Sequence, residues 1–419
     1  MSSESSRLDE RVREEGRAPL PPPPDGPGRP LNICFVLPPP ERYGARSGGA
    51  ISTVTRHLVR SLIGLGHAVV VLTPDDGEEP YAEGDVRRLR YGPAWPPPAL
   101  LHKARVLESK VRRWSWPDYG SYRRQVVRGL SRLAVPPDLV IAANDPELAY
   151  RLHRKNIGSR QVLWLHNRLQ GREARRIPDL QPEVMLVAVS DSVRRWTADT
   201  YRIPADSISV INNGVDLDEF RPREDFVRPR TPVRVVCHGR IDPNKGHVIA
   251  ARAVGELRRR GCPVTFTMIG GVQTFGIPEV EERAYADALS AAIADAGGTE
   301  MGRLPATEIA GVLREHDIAC VLSRSAEPFP LTALEAMASG CAVITTGNGG
   351  IAEIVGESAV LVDTDDVDGV VAAIAGLADD PGLLSERKTS ARRRSELFTW
   401  RLAADAVESL STGSRRRSP

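Results

Sequence analysis

The stretch RSAEPFPLTALEAMASGCAVITT (324–346) contains two glutamates that are separated by seven residues. Glu327 lies just past the end of an apolar, strand-like run, and Glu335 lies in the first turns of the short helix predicted to follow. The carboxylate of Glu335 suits a vicinal diol, because its two oxygens can accept hydrogen bonds from two hydroxyls. The helix start at Leu331 and Thr332 presents free backbone amides and the positive end of the helix dipole, which suit a diphosphate. Glu327 is then placed to hold hydroxyl groups of a sugar.

Positive charge is available in the segment HGRIDPNKG (238–246), which follows another predicted strand. Arg240 and Lys245 there place two positive charges shortly after the end of that strand. Gly48 and Gly49, in the string SGGA, lie between the first predicted strand and the first helix, where their amides can approach a phosphate closely. Outside this combination, the glutamates and the Arg–Lys pair would be ordinary surface charges, and the double glycine a plain turn.

The string E-P-F-x-L-x-x-x-E-A-M-A-x-G resembles the E-x7-E signature of the retaining glycosyltransferases of family 4, also called glycosyl transferases group 1. The resemblance extends in order over nearly all of residues 31–405. It implies the GT-B fold, in which two Rossmann-like domains face each other across a cleft that binds a nucleotide sugar. It also implies that Glu327 contacts the transferred sugar and that Glu335 binds the nucleotide ribose. The other donor-site residues that it implies on this string are Phe329, Leu331 and Thr332.

Further elements are similar to the same family. HGRIDPNKG resembles the G-R-x-x-x-x-K-G element, whose arginine and lysine neutralise the diphosphate, here Arg240 and Lys245. The loop with Gly48 and Gly49 corresponds to one that borders the donor phosphate and the acceptor. His166 ends the apolar run VLWLH, where the family places a histidine close to the donor sugar, although a lone histidine at a strand end is more often structural. The catalytic residues implied by the resemblance are Glu327, His166, Arg240 and Lys245.

One residue departs from the family pattern, since Pro330 stands where the family commonly has glycine. Proline has no backbone N–H, so one possible donor to the sugar hydroxyls or the phosphate is absent. Two D-x-D strings, at 216–218 and 363–365, lack the context of a metal-bound diphosphate. The first belongs to an N-G-V-D element before the linker, and the second is predicted to cap the next helix. Neither a metal nor a cofactor is therefore expected, apart from the nucleotide sugar as substrate.

These residues need a scaffold that gathers the ends of several strands. Strand–helix alternation on both sides of a charged, proline-punctuated linker at 217–232 predicts an α/β protein with two doubly wound parallel sheets. Ligands collect at the carboxyl ends of such strands, so an interdomain cleft is expected. Continuous apolar runs predict the buried strands at 31–37, 67–73, 137–143, 161–167, 184–190, 207–213, 233–240, 264–271, 318–323, 341–346 and 358–363.

The linker and the composition of the termini predict the domain limits. An N-terminal Rossmann-like domain that binds the acceptor spans 31–222, and a C-terminal one that binds the nucleotide sugar spans 223–396. A helix at 397–410 is expected to cross back to the first domain. The charged, proline-rich arm 1–30 and the tail 411–419 are expected to be disordered.

Composition argues against several other classes of protein. A chain of 419 residues suits two domains, and a net charge of +2 points to neither nucleic acid nor an acidic partner. The five cysteines are dispersed without a C-x-x-C pair, which suits a reducing compartment better than a disulfide framework or a metal cluster. The N-terminus lacks the apolar core of a signal peptide, and no run is long enough to span a membrane. A cytoplasmic location is therefore expected.

The sequence indicates less about the region that binds the acceptor than about the donor site. Residues 91–132 combine aromatic side chains with arginines and lysines. Aromatic faces suit sugar rings and arginines suit an anionic acceptor, so this segment could form an acceptor pocket or lid. It could also rest on an anionic membrane surface, or be an ordinary solvated helical excursion. The sequence leaves these three open, and the acceptor can be a small molecule, a glycan or a lipid-linked molecule.

The predicted activity is transfer of a hexose-type sugar from a nucleoside diphosphate sugar to an acceptor hydroxyl, with retention, without metal, and with UDP as the default nucleotide. One alternative is a related GT-B enzyme with altered chemistry, a pseudo-glycosyltransferase or an epimerase. Another is a catalytically silent nucleotide-sugar-binding protein, suggested only by Pro330. An NAD-dependent oxidoreductase would need G-x-G-x-x-G directly after the first strand, whereas the loop after Leu37 reads PPPERYGARSGGA.

Overall fold

The computed structural model describes residues 29–44, 49–75, 77, 79–90, 120–228, 230–273 and 278–412. These residues form two β-sheets, which follow one another along the chain. The first sheet has seven strands, which are β1 (Asn32–Val36), β2 (Ala68–Pro74), β3 (Asp85–Leu89), β4 (Leu139–Ala143), β5 (Arg160–Leu165), β6 (Met185–Ala188) and β7 (Ile208–Val210). The second has six, which are β8 (Val233–His238), β9 (Val264–Ile269), β10 (Thr299–Glu300), β11 (Ile318–Val321), β12 (Ala342–Thr345) and β13 (Val360–Leu361).

Both sheets have the same kind of strand order. The first runs β3-β2-β1-β4-β5-β6-β7 and the second β10-β9-β8-β11-β12-β13, and every strand pair is parallel. The order reverses beside β1 in the first sheet and beside β8 in the second. At such a switch point the loops that follow two neighbouring strands diverge and leave a crevice at the carboxyl ends. The prediction of an α/β protein with two doubly wound parallel sheets is confirmed.

Helices connect the strands. Those of the first half are α1 (Ala50–Gly64), α2 (Gly120–Leu130), α3 (Pro146–Arg154) and α4 (Asp191–Tyr201). Those of the second half are α5 (His247–Arg259), α6 (Glu279–Asp295), α7 (Ala306–Arg314), α8 (Leu331–Ala338), α9 (Ile351–Val355), α10 (Val367–Asp379), α11 (Pro381–Ser395) and α12 (Trp400–Thr412). Ser190 caps α4, because its hydroxyl accepts a hydrogen bond from the Val193 amide.

The predicted strands match the observed ones closely, but two strands were not predicted. β3 has the sequence DVRRL and lies at the edge of the first sheet, with charged and largely solvent-facing side chains. β10 consists of the two exposed residues Thr299 and Glu300 at the edge of the second sheet. Edge strands are covered on fewer sides than central ones, so neither shows the continuous apolar run that identifies a buried parallel strand.

Two clusters of buried apolar side chains form the core. One surrounds the first sheet and continues onto the face of the second sheet that carries Phe329 and Leu334. The other fills the opposite face of the second sheet, around Val235, Phe266 and Ile374. The apolar core is therefore continuous from the first sheet to the second.

Two segments of the chain connect the first half to the second, and they meet at Val215 and Phe398. The Val215 amide donates to the Phe398 carbonyl at 3.0 Å, and helix α12 then packs against α1. There the His57 imidazole stacks on the Trp400 indole, with ring centroids 4.9 Å apart. The domain limits at 222/223 and 396/397 remain predictions. None of the described helices is both long enough and apolar enough to cross a bilayer.

Candidate active site

The carboxyl ends of β8 and β11 bring Lys245 and Glu327 together. Lys245 Nζ donates to Glu327 Oε1 at 2.5 Å, and Ser323 Oγ donates to the same oxygen at 2.6 Å. Burial raises the pKa of Glu327, but Lys245 and these hydrogen bonds lower it more strongly, so the pKa lies below the ordinary value of a glutamate. Glu327 is therefore ionised at neutral pH. Within the described part of the chain we find no partner for its second carboxylate oxygen, Oε2.

Lys245 reaches Glu327 because the chain turns tightly after β8. Lys245 ends a short 3-10 turn, Pro243–Lys245, and is followed by Gly246 with φ +67°. A Cβ atom on Gly246 would lie 2.2 Å from the Leu322 carbonyl oxygen at the end of β11. Only glycine permits both this conformation and this close approach, so the K-G pair of the motif has a geometric reason.

The backbone of Glu327 is fixed by the neighbouring loop 347–350. The Gly350 amide donates to the Glu327 carbonyl at 2.7 Å, and the Glu327 amide donates to the Asn348 carbonyl at 3.3 Å. The Asn348 side chain in turn donates to the Ser323 carbonyl at 2.9 Å. Loop 347–350 thus holds both the amide and the carbonyl of Glu327 in place.

Glu335 is the only charged residue of helix α8 and is flanked by buried Leu334 and Ala336. Its Oε2 atom lies 3.1 Å from His238 Nε2, and the side chains are 20% exposed for Glu335 and 2% exposed for His238. His238 is a site residue that the sequence did not reveal. Its only signal is its position as the last residue of β8, directly before the G-R pair.

The N-terminus of helix α8 is the predicted diphosphate site, and its first-turn amides have no side-chain cap that a ligand would have to displace. Pro330 precedes α8, and no side chain caps its N-terminus. Leu331 and Thr332, in the first turn, are only partly buried. Phe329 is 6% exposed, and its ring packs edge-on against the Phe398 ring, with the ring centroids 5.9 Å apart. Phe329 therefore anchors the loop before the helix, and a donor contact by this residue stays a prediction.

Arg240 lies beside this region on the segment after β8. Its Nη1 atom lies 4.0 Å from Asp242 Oδ2, and its backbone carbonyl is 2.9 Å from His247 Nε2. Because a carbonyl only accepts, the imidazole of His247 donates here through Nε2. Burial lowers the pKa of His247 to about 4, so it is neutral at physiological pH. A buried neutral histidine thus fixes the backbone that carries the predicted diphosphate-binding arginine.

His166 lies on the first sheet, directly after β5. It is 8% exposed, its ring stacks on Trp164 at 5.3 Å, and its backbone amide donates to the Asn144 side chain at 2.8 Å. Burial lowers the pKa of His166 to about 3, so the imidazole is neutral. Among the described residues, His166 has no hydrogen bond or ion pair to the second half. Its predicted contact with a donor sugar stays a prediction.

The Gly49 amide already has a hydrogen-bond partner within the chain, which the sequence did not reveal. Gly48 lies outside the described residues. The Gly49 amide donates to Glu41 Oε2 at 3.1 Å, and the Ser52 amide also bonds to this carboxylate. Burial raises the pKa of Glu41, although these amides and the charge of Arg240 act in the opposite direction. A phosphate that binds the Gly49 amide must therefore displace a carboxylate of the chain itself.

The predicted acceptor region is described only from Gly120 onward. In α2, Arg123 is 3% exposed and donates to both oxygens of Asp145, at 3.0 and 2.9 Å. It also donates to the two oxygens of Glu173, at 2.8 and 2.5 Å. Arg123 is therefore part of a buried ion network and does not offer its charge to an acceptor.

The two D-x-D strings have structural roles. Asp216 Oδ1 accepts from the Asp218 amide at 3.1 Å and shapes a turn. Asp365 pairs with Arg324 at 2.7 Å. The prediction that the second string caps the next helix is wrong by one residue, since Asp366 accepts from the Gly369 amide and caps α10. No group of three or more His, Cys, Asp or Glu side chains in the described ranges is placed to hold a metal.

Two protein families match the two halves of the chain. Residues 48–219 match Glycosyltransferase Family 4, and residues 232–380 match Glycosyl transferases group 1. The chain is 27% identical over 399 residues to glycogen synthase of Mycobacterium tuberculosis, and this match covers 88% of this chain and 92% of the relative. It is 32% identical over 276 residues to D-inositol 3-phosphate glycosyltransferase 2 of Catenulispora acidiphila, and this match covers 63% of this chain and 59% of the relative.

Solved structures share the whole architecture. Sucrose-phosphate synthase from Thermosynechococcus elongatus matches with a TM-score of 0.71 and 19% identity, over 91% of this chain and 98% of that chain. Anabaena HepE in complex with UDP and glucose matches with a TM-score of 0.65 and 18% identity, over 91% of this chain and all of the other, 100%. These likenesses confirm the predicted GT-B arrangement of the two sheets.

Proposed function

Because this chain belongs to the family 4 glycosyltransferases, the glycosyl transferases group 1, we propose that its donor is a nucleoside diphosphate hexose, with UDP as the first candidate nucleotide. The acceptor atom is a hydroxyl oxygen, the anomeric configuration is retained, and no metal takes part. The observation that carries the proposal is the contact of 2.5 Å between Lys245 and Glu327 at the carboxyl ends of two neighbouring strands. It sets a carboxylate for sugar hydroxyls beside an ammonium for a diphosphate.

The leaving group meets positive charge on one side of this site. Lys245 and Arg240 compensate the charge that develops on the diphosphate as it departs, and the first-turn amides of α8 can add hydrogen bonds. Such fixed charges and dipoles act without a metal, because the protein has already arranged them before the reaction. Glu335 then accepts hydrogen bonds from the ribose hydroxyls of the same nucleotide.

Retention follows from attack on the face that the diphosphate leaves. The bond between the anomeric carbon and the diphosphate oxygen breaks, and a bond from the acceptor oxygen forms on the same side. The acceptor proton passes to the leaving phosphate oxygen. Glu327, as a carboxylate, holds the sugar and stabilises the positive charge that develops on the ring. His166, as a neutral imidazole, orients the sugar by hydrogen bonds.

The names of similar proteins support this donor class and leave the acceptor open. The HepE complexes contain UDP, UDP with glucose, or UDP-glucose. Relatives are named as a glycogen synthase, mannosyltransferases and inositol 3-phosphate glycosyltransferases, and these names point to no single acceptor. The acceptor of this chain is proposed to be a small molecule, a glycan or a lipid-linked molecule.

The five cysteines are unpaired thiols, which supports a reducing, cytoplasmic location.

Donor turnover in the presence of EDTA tests the proposal. UDP-, GDP-, ADP- and dTDP-hexoses are incubated with the protein and with candidate acceptors, and the released nucleoside diphosphate is measured. The expected result is turnover of one donor, with an α-linked product from an α-linked donor by NMR. An inverted product would contradict retention, and activity that EDTA abolishes would contradict metal independence. Epimerised donor without transfer would favour the epimerase alternative, and binding without any turnover would favour the silent protein.

A further inference from the structure

We propose that His238 is a positioning residue for the nucleotide of the donor, acting through Glu335. By donating its Nε2 hydrogen to Glu335 Oε2, His238 holds the carboxylate in the orientation that accepts from the ribose hydroxyls. The inference rests on the proposed donor class, because it assigns Glu335 to a ribose. It adds a residue that lies beneath the site and does not itself touch the ligand.

The burial of the pair favours this arrangement over a surface ion pair. His238 is 2% exposed and Glu335 is 20% exposed, so the carboxylate is dry on the histidine side and reaches solvent on the other. Among the described residues, His238 is the only hydrogen-bond partner of the Glu335 side chain. A carboxylate can accept at about four positions, so one bond to His238 leaves capacity for two hydroxyls.

The backbone explains how the imidazole comes beneath the helix. His238 is the last residue of β8, and Gly239 follows with φ +125°. A Cβ atom on Gly239 would lie 3.2 Å from Thr332 Cγ2, so the strand end lies directly against the first turn of α8. Glu335 follows Thr332 by one turn on this helix, which places its carboxylate over the histidine.

A restrained carboxylate has a specific thermodynamic consequence. Without His238, the Glu335 side chain must be ordered by the ligand itself, and this ordering weakens binding. The loss falls on ligands whose ribose hydroxyls use the carboxylate. A ligand that lacks one of these hydroxyls gains less from an oriented Glu335 and loses less when the histidine is removed. A purely structural role of His238 would weaken both ligands equally.

The test compares nucleoside diphosphates with their 2′-deoxy forms by calorimetric titration, using the pairs UDP and 2′-deoxy-UDP, GDP and 2′-deoxy-GDP, and ADP and 2′-deoxy-ADP. The variants are His238→Leu, which removes the donor, His238→Asn, whose shorter amide does not reach Glu335, and His238→Gln, whose amide can replace Nε2. His316→Gln is the matched control, because His316 is another buried histidine of this half and bonds to Thr267 instead.

Wild type and His316→Gln are expected to prefer the ribose form of one pair. In His238→Leu and His238→Asn, binding of that form is expected to weaken roughly ten-fold, the size of a lost hydrogen bond to a charged group. The 2′-deoxy form is expected to change little, and His238→Gln is expected to restore the preference. Equal weakening of both forms, or an unchanged preference in folded His238→Asn, would overturn the role of His238 alone. Failure of wild type to bind any nucleoside diphosphate would instead overturn the proposed function.

Discussion

Glu353 in the second half and Asp191 in the first are joined by a hydrogen bond of 2.7 Å, from the Asp191 amide to Glu353 Oε2. The Ser192 amide donates to the other oxygen, Oε1, at 2.5 Å. Helix α4 begins at Asp191, so a carboxylate from one half accepts the first-turn amides of a helix in the other. Glu353 follows loop 347–350, which holds the backbone of Glu327. The contact therefore links the sugar-binding loop to the first half.

Replacing Glu353 with alanine is expected to lower stability and to loosen the two halves. Loss of a helix-capping carboxylate lowers the free energy of unfolding by about 1 kcal/mol, which denaturant titration measures. Small-angle scattering without ligand is expected to give a larger radius of gyration. Asp380→Ala is the control, because Asp380 caps α11 within the second half through the Leu383 amide. Equal scattering by the two variants would show that the Glu353 contact does not hold the halves together.

Replacing Glu327 with glutamine is expected to separate turnover from nucleotide binding. Glutamine cannot stabilise positive charge on the sugar ring, so kcat is expected to fall about 100-fold, the usual effect of losing one electrostatic group in an active site. The Kd for the free nucleoside diphosphate is expected to change little, because Glu327 faces the sugar. Kinetics and calorimetry on the same preparation measure both quantities. A loss of nucleotide affinity as large as the loss of kcat would contradict the assignment.

Replacing Lys245 with methionine is expected to shift the pH dependence of activity. Burial raises the pKa of Glu327 and Lys245 lowers it, so removal of the ammonium lets the pKa rise. Glu327 then becomes protonated at a higher pH, and the acidic limb of the rate profile is expected to move upward. Steady-state rates from pH 4 to 9 measure the shift, with the exposed Lys155→Met as control. An unmoved acidic limb in the Lys245 variant would show that Glu327 ionisation does not limit the rate.

Replacing Arg123 with methionine is expected to destabilise the first half without a direct effect on acceptor recognition. Asp145 is 3% exposed and would be left without its partner, which lowers the free energy of unfolding by about 3–5 kcal/mol. Arg124→Met, the neighbouring exposed position, is expected to have little effect on stability. Denaturant titration measures the free energy of unfolding, and the KM for the acceptor is measured at a temperature where both variants are folded. A raised acceptor KM confined to the Arg123 variant would contradict its structural role.

Local sequence pattern predicted the central strands and the scaffold, because a buried parallel strand must be apolar on both faces. It did not predict β3 or β10, whose edge positions allow charged or exposed residues. Lys245 and Glu327 were both assigned to the donor site, but their contact was not predicted, because it depends on the strand order that makes β8 and β11 neighbours.

Contacts that depend on the packing of one element against another were not accessible from the sequence. His238 reaches Glu335 only because the end of β8 lies against α8, and the two residues are far apart in the chain. Glu41 reaches the Gly49 amide through the path of a loop that has no periodic signal. Asp366 caps α10 where the D-x-D string suggested an earlier residue, since the helix boundary is set by three-dimensional packing.

Calorimetric titration of wild type and Glu335→Ala with UDP, dTDP, GDP, ADP and NAD, in the presence of EDTA, tests the central claim most directly. A donor site for a nucleoside diphosphate sugar predicts that one nucleoside diphosphate binds wild type without metal, that the alanine variant loses most of this affinity, and that NAD does not bind. Binding of NAD alone, or of none of the diphosphates by folded wild type, would contradict the account.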